Sequence, residues 1–227
     1  MHLAILLLAS GRGTRMGGAT PKVYLPVAGV PILLRTARRL AQLDPQAEIV
    51  LAVNPEDRST HLAPLLPELS ALGIEKVIDG GATRQDSMMQ ALAAAGQDCD
   101  TILIHDAARP FFPIEATRQA IARAAEVGAA LLAIPTPDTL KQVNDARQVE
   151  GTLDRAGVWL AQTPQIVRRN LLEQGLAVGH TGTDDVSLVE QLGQPVEVVN
   201  GSARNLKITA PSDLELAEFI ATLEDPT

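Results

Sequence analysis

The sequence is poor in aromatic residues and in cysteine, and each scarcity excludes a class of site. Aromatic residues make up only 2% of the 227 residues while 46% are hydrophobic, so the core has to be built from aliphatic side chains. Surfaces that stack the bases of single-stranded nucleic acid need aromatic rings, which weakens that interpretation. Cys99 is the only cysteine, so neither an intrachain disulfide nor a cysteine metal cluster can form. A reducing, cytoplasmic setting fits this composition.

Positive charge is also in deficit. Nineteen Lys and Arg against 27 Asp and Glu give a formal net charge of -8. The surface as a whole should repel polyanions, so we expect no nucleic-acid partner, and an anionic substrate would need a local cluster of cations. The apolar run Leu3–Leu8 is too short to span a bilayer. We interpret it as a buried strand and expect no membrane partner.

Short apolar runs alternate with segments of helical period. We predict strands at Leu3–Leu8, Glu48–Val53, Lys76–Ile78, Thr101–Ile104 and Ala129–Ile134, and helices at Ile32–Leu43, Arg84–Ala95 and Ile114–Glu126. Nearly continuous apolar strands joined by helices indicate an α/β fold, with a mostly parallel sheet covered on both faces. We therefore expect one three-layer domain over residues 1–227, closed by a helix after Pro211, with its ligand beyond the carboxyl ends of the strands.

The segment Pro135–Arg155 departs from this alternation. It is polar, contains Pro135 and Pro137, and has alternating apolar positions around a turn at Asn144–Asp145. The pattern is typical of a protruding hairpin and equally of an ordinary surface loop. The residues alone leave both interpretations open.

A glycine-rich loop carrying several cations follows the first strand, over Ala9–Lys22. Its glycines let backbone amides approach an anion closely, and successive amides can form an anion-binding concavity. The loop is not a dinucleotide fingerprint, which would need a glycine at Met16, and Gly-Lys-Ser/Thr of a P-loop is absent from the sequence. We interpret it as a triphosphate cradle, with Arg15 and Lys22 as candidates to contact the phosphate under attack. The alternative is a flexible surface turn with solvated arginines.

Two further segments place polar groups at the ends of predicted strands. Asp106 follows Thr101–Ile104 and is suited to help hold Mg²⁺, which prefers oxygen ligands, although an aspartate here is otherwise a turn or helix cap. His105 is expected to pack or hydrogen-bond rather than react. The glycines of Asp79–Ser87 leave backbone groups open to a nucleobase edge, to which Ser87 would add a hydroxyl. A helix capped by Thr83, with no ligand, is equally consistent with that loop.

Several later motifs are weak one by one, because a lone cation in them is usually a solvated surface charge. They are Asp138-Thr139-Leu-Lys141, Asp154-Arg155, Thr163-Pro-Gln165, Thr183-Asp184-Asp185 and Asn205-Leu-Lys207. A longer set of motifs, in chain order, resembles the 2-C-methyl-D-erythritol 4-phosphate cytidylyltransferase family over nearly the whole chain: Ala9-Ser-Gly-Arg-Gly-Thr-Arg-Met, Pro21-Lys22, Asp79-Gly-Gly, Asp86-Ser87, His105-Asp-Ala-Ala-Arg-Pro110, Asp138-Thr-Leu-Lys141, Asp154-Arg155, Thr163-Pro-Gln165, Thr183-Asp184 and Asn205-Leu-Lys207. The motif His105-Asp-Ala-Ala-Arg-Pro110 is quite specific to that family, whereas the first glycine loop indicates only the wider nucleotidyltransferase superfamily.

The resemblance implies a Rossmann-like nucleotidyltransferase fold with a projecting β-arm at about 136–155. It implies Mg²⁺ or another divalent cation as cofactor, and CTP and 2-C-methyl-D-erythritol 4-phosphate as substrates. The products would be pyrophosphate and the CDP-linked methylerythritol of the non-mevalonate route to isoprenoid precursors. It also implies a homodimer in which the arm of one subunit reaches the active site of the other, so that Thr139 and Arg155 act in trans.

The resemblance also assigns roles to residues. Arg15 and Lys22 match the catalytic residues that stabilise the transition state. Positions that orient the sugar phosphate or lie beside it match Arg155, Lys207, Thr139 and Arg109. Nucleotide-binding positions match Ala9, Ser10, Gly11, Gly13, Gly81, Ala82, Ser87, Asp106 and Ala107, and Asp106 also matches a position near the metal.

Two positions depart from the pattern of that family. Ser10 stands where the family often has Ala, and Ala82 where some members have a polar residue; the second departure bears on CTP selectivity if that side chain contacts cytosine. The nearest alternative is a sister enzyme acting on ribitol 5-phosphate. A non-catalytic nucleotide-binding protein of the same fold is another, but the retained Arg15, Lys22 and Asp106 give it no support.

Overall fold

The computed structural model of the chain describes residues 2–13, 16–18 and 20–224. Arg15, one of the two predicted catalytic residues, lies outside them. The strands are β1 (Leu3–Ala9), β2 (Pro26–Val27), β3 (Val30–Pro31), β4 (Glu48–Val53), β5 (Lys76–Asp79), β6 (Thr101–Asp106), β7 (Ala129–Pro135), β8 (Leu140–Val143), β9 (Val149–Leu153), β10 (Trp159–Arg168) and β11 (Glu197–Asn200). The helices are α1 (Ile32–Leu40), α2 (Leu66–Ala71), α3 (Arg84–Ala94), α4 (Ile114–Val127), α5 (Arg169–Ala177), α6 (Ser187–Glu190) and α7 (Pro211–Glu224). Short 3₁₀ turns occur at Lys22–Tyr24, Pro55–Asp57 and Ala63–Leu65, with a π turn at Arg58–Leu62.

The central sheet has seven strands in the order β11-β7-β10-β6-β1-β4-β5. Neighbouring strands are parallel except at β10, which is antiparallel to both β6 and β7. The predicted mostly parallel sheet is therefore confirmed. Leu8 of β1 pairs with Asp106 and Ala9 pairs with Val53, so β1, β4 and β6 end at one edge. That edge is where eight of the predicted site residues meet.

Both faces of the sheet are buried. Alternate residues of β1 point to opposite sides: Leu3, Ile5 and Leu7 join one cluster with α1 and α4, and the residues between them join a second cluster with α3 and α5. A third, smaller cluster packs α7 against Val27 and Phe111. The arrangement is the three-layer α/β fold that the alternating pattern predicts.

Predicted elements end within a few residues of the observed ones, and two of the differences have a clear cause. The first predicted helix extends to Leu43, but α1 ends at Leu40. Residues 41–43 continue as a tighter turn in which Leu43 N donates to Leu40 O at 3.0 Å, so Leu43 stays buried and the apolar period persists beyond the α-helix. β10 was not predicted because Pro164 lies within it, and proline inside a strand argues against a central position. The ladder with β7 shifts register between Ala161 and Gln165, around that proline.

Residues 136–155 form the hairpin that the sequence left open. β8 and β9 pair antiparallel with Leu140 opposite Leu153, in a sheet separate from the central one. The hairpin exposes apolar side chains, among them Val143 and Val149 at 54% and 61% exposure. Across residues 2–13, 16–18 and 20–224, no helix combines the length and hydropathy needed to cross a bilayer.

Candidate active site

A cavity of about 420 Å³ opens at the carboxyl edge of the sheet, beyond β1 and β6. Its lining includes eight of the predicted site residues: Ala9, Ser10, Gly11, Lys22, Gly81, Ala82, Asp106 and Lys207. These residues come from separate parts of the chain, and the shared edge of the parallel strands brings them together. The cavity therefore lies where the fold class predicts a ligand.

Gly13 shapes the loop that follows β1. It has φ of +61°, a conformation that favours glycine. A Cβ on Gly13 would lie 2.9 Å from Cγ of Lys22, so the aliphatic part of that side chain packs directly against the glycine backbone. Beside it, the guanidinium of Arg12 pairs with the carboxylate of Glu56. The glycine loop thus helps to position the side chain of Lys22 through close contact with the backbone of Gly13.

Asp106 is the carboxylate at the end of β6, and side-chain cations surround it. Its Oδ1 accepts from Arg84 Nε at 3.1 Å, and its Oδ2 lies 2.7 Å from Lys207 Nζ and 3.7 Å from Arg109 Nε. Burial alone would raise the pKa of Asp106, but these three cations together hold it well below its usual range. Asp106 is therefore ionised at neutral pH and faces cations rather than capping a turn.

Arg84 connects Asp106 to a second buried carboxylate. Its Nη1 and Nη2 donate to Oδ1 and Oδ2 of Asp185 at 2.7 and 2.8 Å. Burial opposes the charge of Arg84, yet the carboxylates of Asp185 and Asp106 more than offset it and raise the pKa of the guanidinium. No role was predicted for either Arg84 or Asp185. The only sequence signals were the position of Arg84 at the start of a helix and the paired aspartates of Thr183-Asp184-Asp185.

His105 lies fully buried beneath this cluster. Its Nε2 is 3.0 Å from Arg109 O, which can only accept, so Nε2 carries the proton and Nδ1 accepts from Thr163 Oγ1 at 3.0 Å. Burial lowers the pKa of His105 to about 3, so the ring is neutral. Thr163 Oγ1 in turn accepts from the backbone N–H of Asp106 at 3.1 Å. As expected, His105 packs and hydrogen-bonds, and it ties the end of β6 to β10.

The loop before α3 is tied to the loop after β1. Ser87 Oγ donates to Thr83 O at 2.9 Å, so it accepts from Gly81 N at 3.0 Å and from Ser10 Oγ at 2.8 Å. A Cβ on Gly80 would lie 2.4 Å from Cβ of Ser10, so only glycine permits this approach. Thr83 also caps α3, so the predicted helix cap is present. A base-reading role for Gly81, Ala82 and Ser87 stays a prediction, and the buried hydroxyl of Ser87 is already engaged by three protein groups.

Some predicted residues lie away from the cavity. Ala107 is buried behind its wall, with its N–H donating to Leu8 O and its carbonyl accepting from Thr36, while Ala108 lines the cavity instead. Arg109 lies beneath the wall, where Nη1 donates to Asn205 O at 2.8 Å. Thr139 and Arg155 are exposed on the hairpin, and Arg155 donates to the carbonyl of Pro137. One chain alone therefore does not bring Thr139 or Arg155 into its own cavity.

The donor set at the cavity suits a divalent cation that is shared with substrate phosphates. Asp106 supplies one ionised carboxylate, and the part of the chain that the structure describes holds no group of three or more His, Cys, Asp or Glu arranged to bind a metal. Mg²⁺ commonly binds through one or two carboxylates together with phosphate oxygens and water. The site fits that mode better than it fits a metal held by protein alone.

Comparisons with known proteins point to one family. The family model for 2-C-methyl-D-erythritol 4-phosphate cytidylyltransferase (IspD) matches residues 3–223. Proteins of that name from Symbiobacterium thermophilum and Carboxydothermus hydrogenoformans are 38% and 39% identical, over 96% and 97% of this chain and 92% and 95% of theirs.

Solved structures extend the likeness to the fold. The crystal structure of the 2-C-methyl-D-erythritol 4-phosphate cytidylyltransferase from Thermus thermophilus superposes with a TM-score of 0.78 and 33% identity, covering 97% of this chain and 99% of that one. The 4-diphosphocytidyl-2C-methyl-D-erythritol synthase from Anaerococcus prevotii gives a TM-score of 0.80 and 26% identity, with 99% of both chains covered. The chain belongs to the 2-C-methyl-D-erythritol 4-phosphate cytidylyltransferase family.

Proposed function

We propose that the protein transfers the cytidylyl group of CTP to 2-C-methyl-D-erythritol 4-phosphate. The products are pyrophosphate and the CDP-linked methylerythritol, a step in isoprenoid precursor synthesis by the non-mevalonate pathway. The observation that carries the proposal is the convergence of the glycine loop, Lys22, Asp106 and Lys207 on one cavity. Family membership supplies the identity of both substrates.

The reaction requires the protein to position the two substrates and to neutralise their negative charge, and it requires no covalent bond to the protein. A phosphate oxygen of the acceptor attacks the α-phosphorus of CTP in line, and the bond to the leaving pyrophosphate breaks. The acceptor phosphate is already ionised near neutral pH, so no general base is needed. Lys22, on the wall beside the glycine loop, neutralises charge that builds on the α-phosphate, and Arg15 is proposed to do the same. Lys207 orients the acceptor phosphate.

We assign Mg²⁺ to Asp106. The carboxylate stays ionised at working pH because Arg84, Lys207 and Arg109 surround it. A bound Mg²⁺ would supply positive charge to the triphosphate and to the departing pyrophosphate. Lys207, whose side chain is 38% exposed on a flexible stem, is the cation at Asp106 that is free to move to an incoming phosphate.

We also propose that the chain works as a homodimer joined through the hairpin arm, residues 136–155 together with the adjoining start of β10. The arm and that strand expose Val143, Val149, Leu153, Trp159 and Leu160, which is unusual for surface side chains that stay in water. Thr139 and Arg155 lie on the arm and outside the cavity of their own chain. In a dimer, they would complete the acceptor site of the partner subunit.

One coupled assay of pyrophosphate release tests the reaction. The four ribonucleoside triphosphates are each offered with 2-C-methyl-D-erythritol 4-phosphate, with ribitol 5-phosphate, or with no acceptor. We expect release only from CTP with the methylerythritol acceptor, and chelation of divalent cations should abolish it. Turnover with ribitol 5-phosphate alone would instead identify the sister activity, and no turnover with any pair would leave a nucleotide-binding protein.

A mixing experiment tests the arm. Lys22→Ala and Arg155→Ala subunits are each expected to be nearly inactive, and they are mixed under conditions that exchange subunits. If the arm acts in trans, each heterodimer contains one intact site, and statistical mixing should restore about a quarter of wild-type activity. If Arg155 serves its own chain, every site keeps one defect and mixing restores nothing. Sedimentation of the wild-type chain as a monomer would refute the dimer directly.

A further inference from the structure

The guanidinium of Arg84 is held by a carboxylate that lies behind the active site. Arg84 makes two parallel hydrogen bonds to Asp185, at 2.7 and 2.8 Å, and directs its remaining nitrogen, Nε, to Asp106 Oδ1 at 3.1 Å. A pair of parallel hydrogen bonds between a guanidinium and a carboxylate fixes the orientation of both groups, in addition to the attraction between their charges. Only one edge of the guanidinium therefore reaches Asp106.

Asp185 is itself held by the central sheet. Gln165 of β10 accepts through Oε1 from the backbone N–H groups of Asp185 and Val186, at 2.8 and 3.1 Å, and donates through Nε2 to Asp184 at 2.9 Å. Gln165 and Asp185 are 1% and 2% exposed, so little solvent reaches these bonds. Gln165 on β10 therefore holds the backbone of Asp185, Asp185 orients Arg84, and Arg84 contacts Asp106.

The charges show why this second carboxylate matters. Arg84, Lys207 and Arg109 surround Asp106, so three positive side chains face its single negative charge. Asp185 cancels one of them by engaging both terminal nitrogens of Arg84. Without that carboxylate, the fork of Arg84 would be free to pair with both oxygens of Asp106, the bidentate geometry that arginine prefers.

We propose that Asp185 and Arg84 are positioning residues for nucleotide binding at Asp106. Asp185 restrains Arg84 to a single contact with Oδ1, so that Oδ2 faces the exchangeable ammonium of Lys207 at 2.7 Å and the more distant Arg109 Nε at 3.7 Å, and can receive Mg²⁺ with the triphosphate. The inference rests on the proposed function, since it concerns how the same site accepts CTP. It assigns a role to Asp185 of the motif Thr183-Asp184-Asp185 and to Arg84.

Asp185→Asn is the direct test, because asparagine keeps the shape of the side chain but removes the charge that restrains Arg84. Calorimetric titration measures the Kd of CTP with Mg²⁺, and again with chelator and no metal, in both cases without acceptor. Loss of a partner that orients a metal-binding carboxylate typically costs about 10- to 100-fold in affinity or activity. We expect a loss of that size for CTP with Mg²⁺, and a much smaller one for CTP alone. A purely structural role would lower Tm and leave both Kd values unchanged.

Arg84→Lys is the second variant, and it decides the matter if Asp185→Asn does not fold. Lysine keeps a positive charge beside the buried Asp185, so no uncompensated carboxylate is created. A point charge cannot, however, fork onto Asp185 and reach Asp106 at the same time. We expect the same selective loss of affinity for CTP with Mg²⁺.

The matched control is Glu197→Gln, which weakens another forked pair far from the cavity lining. Arg123 donates to both oxygens of Glu197, at 2.8 and 2.6 Å, on the edge of the sheet. That variant should bind CTP with Mg²⁺ within about twofold of wild type, since such exposed pairs contribute little. Wild-type affinity in folded Arg84→Lys, or in folded Asp185→Asn, would overturn the inference while the proposed function stood. Failure of the wild-type chain to bind or turn over CTP would instead overturn the proposed function.

Discussion

Replacing Lys22 with methionine separates the charge of this residue from its packing. The stem of Lys22 lies against Gly13, with Cγ and Cδ 2.9 and 3.0 Å from where a glycine Cβ would be built. Methionine keeps an unbranched stem of similar length in that contact, so the free energy of unfolding should change by no more than about 0.5 kcal/mol. Lys22 lines the cavity, and its ammonium group is the part that is lost.

The expected effect is on turnover. A donor that neutralises charge developing in the transition state is worth about 2.7 to 4 kcal/mol, which corresponds to a loss of about 10²- to 10³-fold in kcat. Binding of CTP in the ground state should weaken much less, because the backbone amides of the glycine loop and the loop before α3 remain. Steady-state pyrophosphate release gives kcat and KM, and calorimetry gives the Kd of CTP.

A variant of the neighbouring glycine provides an independent comparison. Gly13→Ala keeps the ammonium of Lys22 but places a methyl group against its stem, at a residue whose φ is +61°. We expect kcat to fall in this variant as well, together with about 1 to 2 kcal/mol of stability lost to backbone strain. If Lys22→Met folds like wild type and turns over at the wild-type rate, the proposed role of Lys22 is wrong.

Three further predictions follow from the contacts around the site. Gly80→Ala should destabilise the chain by about 1 to 3 kcal/mol, because its methyl group would lie 2.4 Å from Cβ of Ser10, and Ser10→Gly should recover part of that loss in chemical denaturation. His105 stays neutral in the folded chain, where its pKa is about 3, whereas in the unfolded chain it takes up a proton below about pH 6.5. The contribution of His105 to the free energy of unfolding is therefore full above about pH 6.5. As the pH falls from there toward 3, that contribution decreases by about 1.4 kcal/mol per pH unit. Denaturation curves should thus show a weaker acid dependence for His105→Gln, and parallel curves would contradict the assignment. Asp213→Ala should cost about 1 kcal/mol of stability, since its carboxylate accepts from the N–H groups of Thr209 and Ala210 at 2.7 and 2.8 Å ahead of α7; Asp213→Asn should lose less.

The parallel core of the sheet could be predicted from sequence because strands that are buried on both faces consist of nearly continuous apolar residues. β1 and β4 are almost entirely apolar, and no amphipathic alternation is needed to recognise them. β10 has no such continuous apolar run, since Pro164 interrupts it and its first residues are exposed. The short strand β11 alternates between half-buried and exposed residues, so local pattern gave little to distinguish it from a loop.

The cavity was predictable for a related reason, whereas its electrostatics were not. Residues such as Ser10 and Lys22 follow one strand and Asp106 ends another, so knowing that parallel strands share an edge suffices to bring them together. The contact between Arg84 and Asp185 joins positions 101 residues apart, and nothing local to either residue marks it. A forked ion pair requires its side-chain atoms to be placed to within a fraction of an ångström. The periodicity of apolar residues in the sequence carries no information at that precision.

The same distinction separates the residues at the sheet edge from the two residues proposed to act in trans. Residues at the sheet edge, such as Lys22 and Asp106, are positioned by burial of the strands and loops beneath them, so a single subunit suffices to bring them to the cavity. Arg155 and Thr139 belong to a two-stranded hairpin, which buries too little apolar surface to be fixed by its own packing. A hairpin with exposed apolar side chains gains order when another surface covers it, and that cover would set the position of the acceptor-binding side chains. In the proposed dimer, assembly would complete the acceptor site, so loss of the dimer should abolish acceptor binding while CTP binding persists.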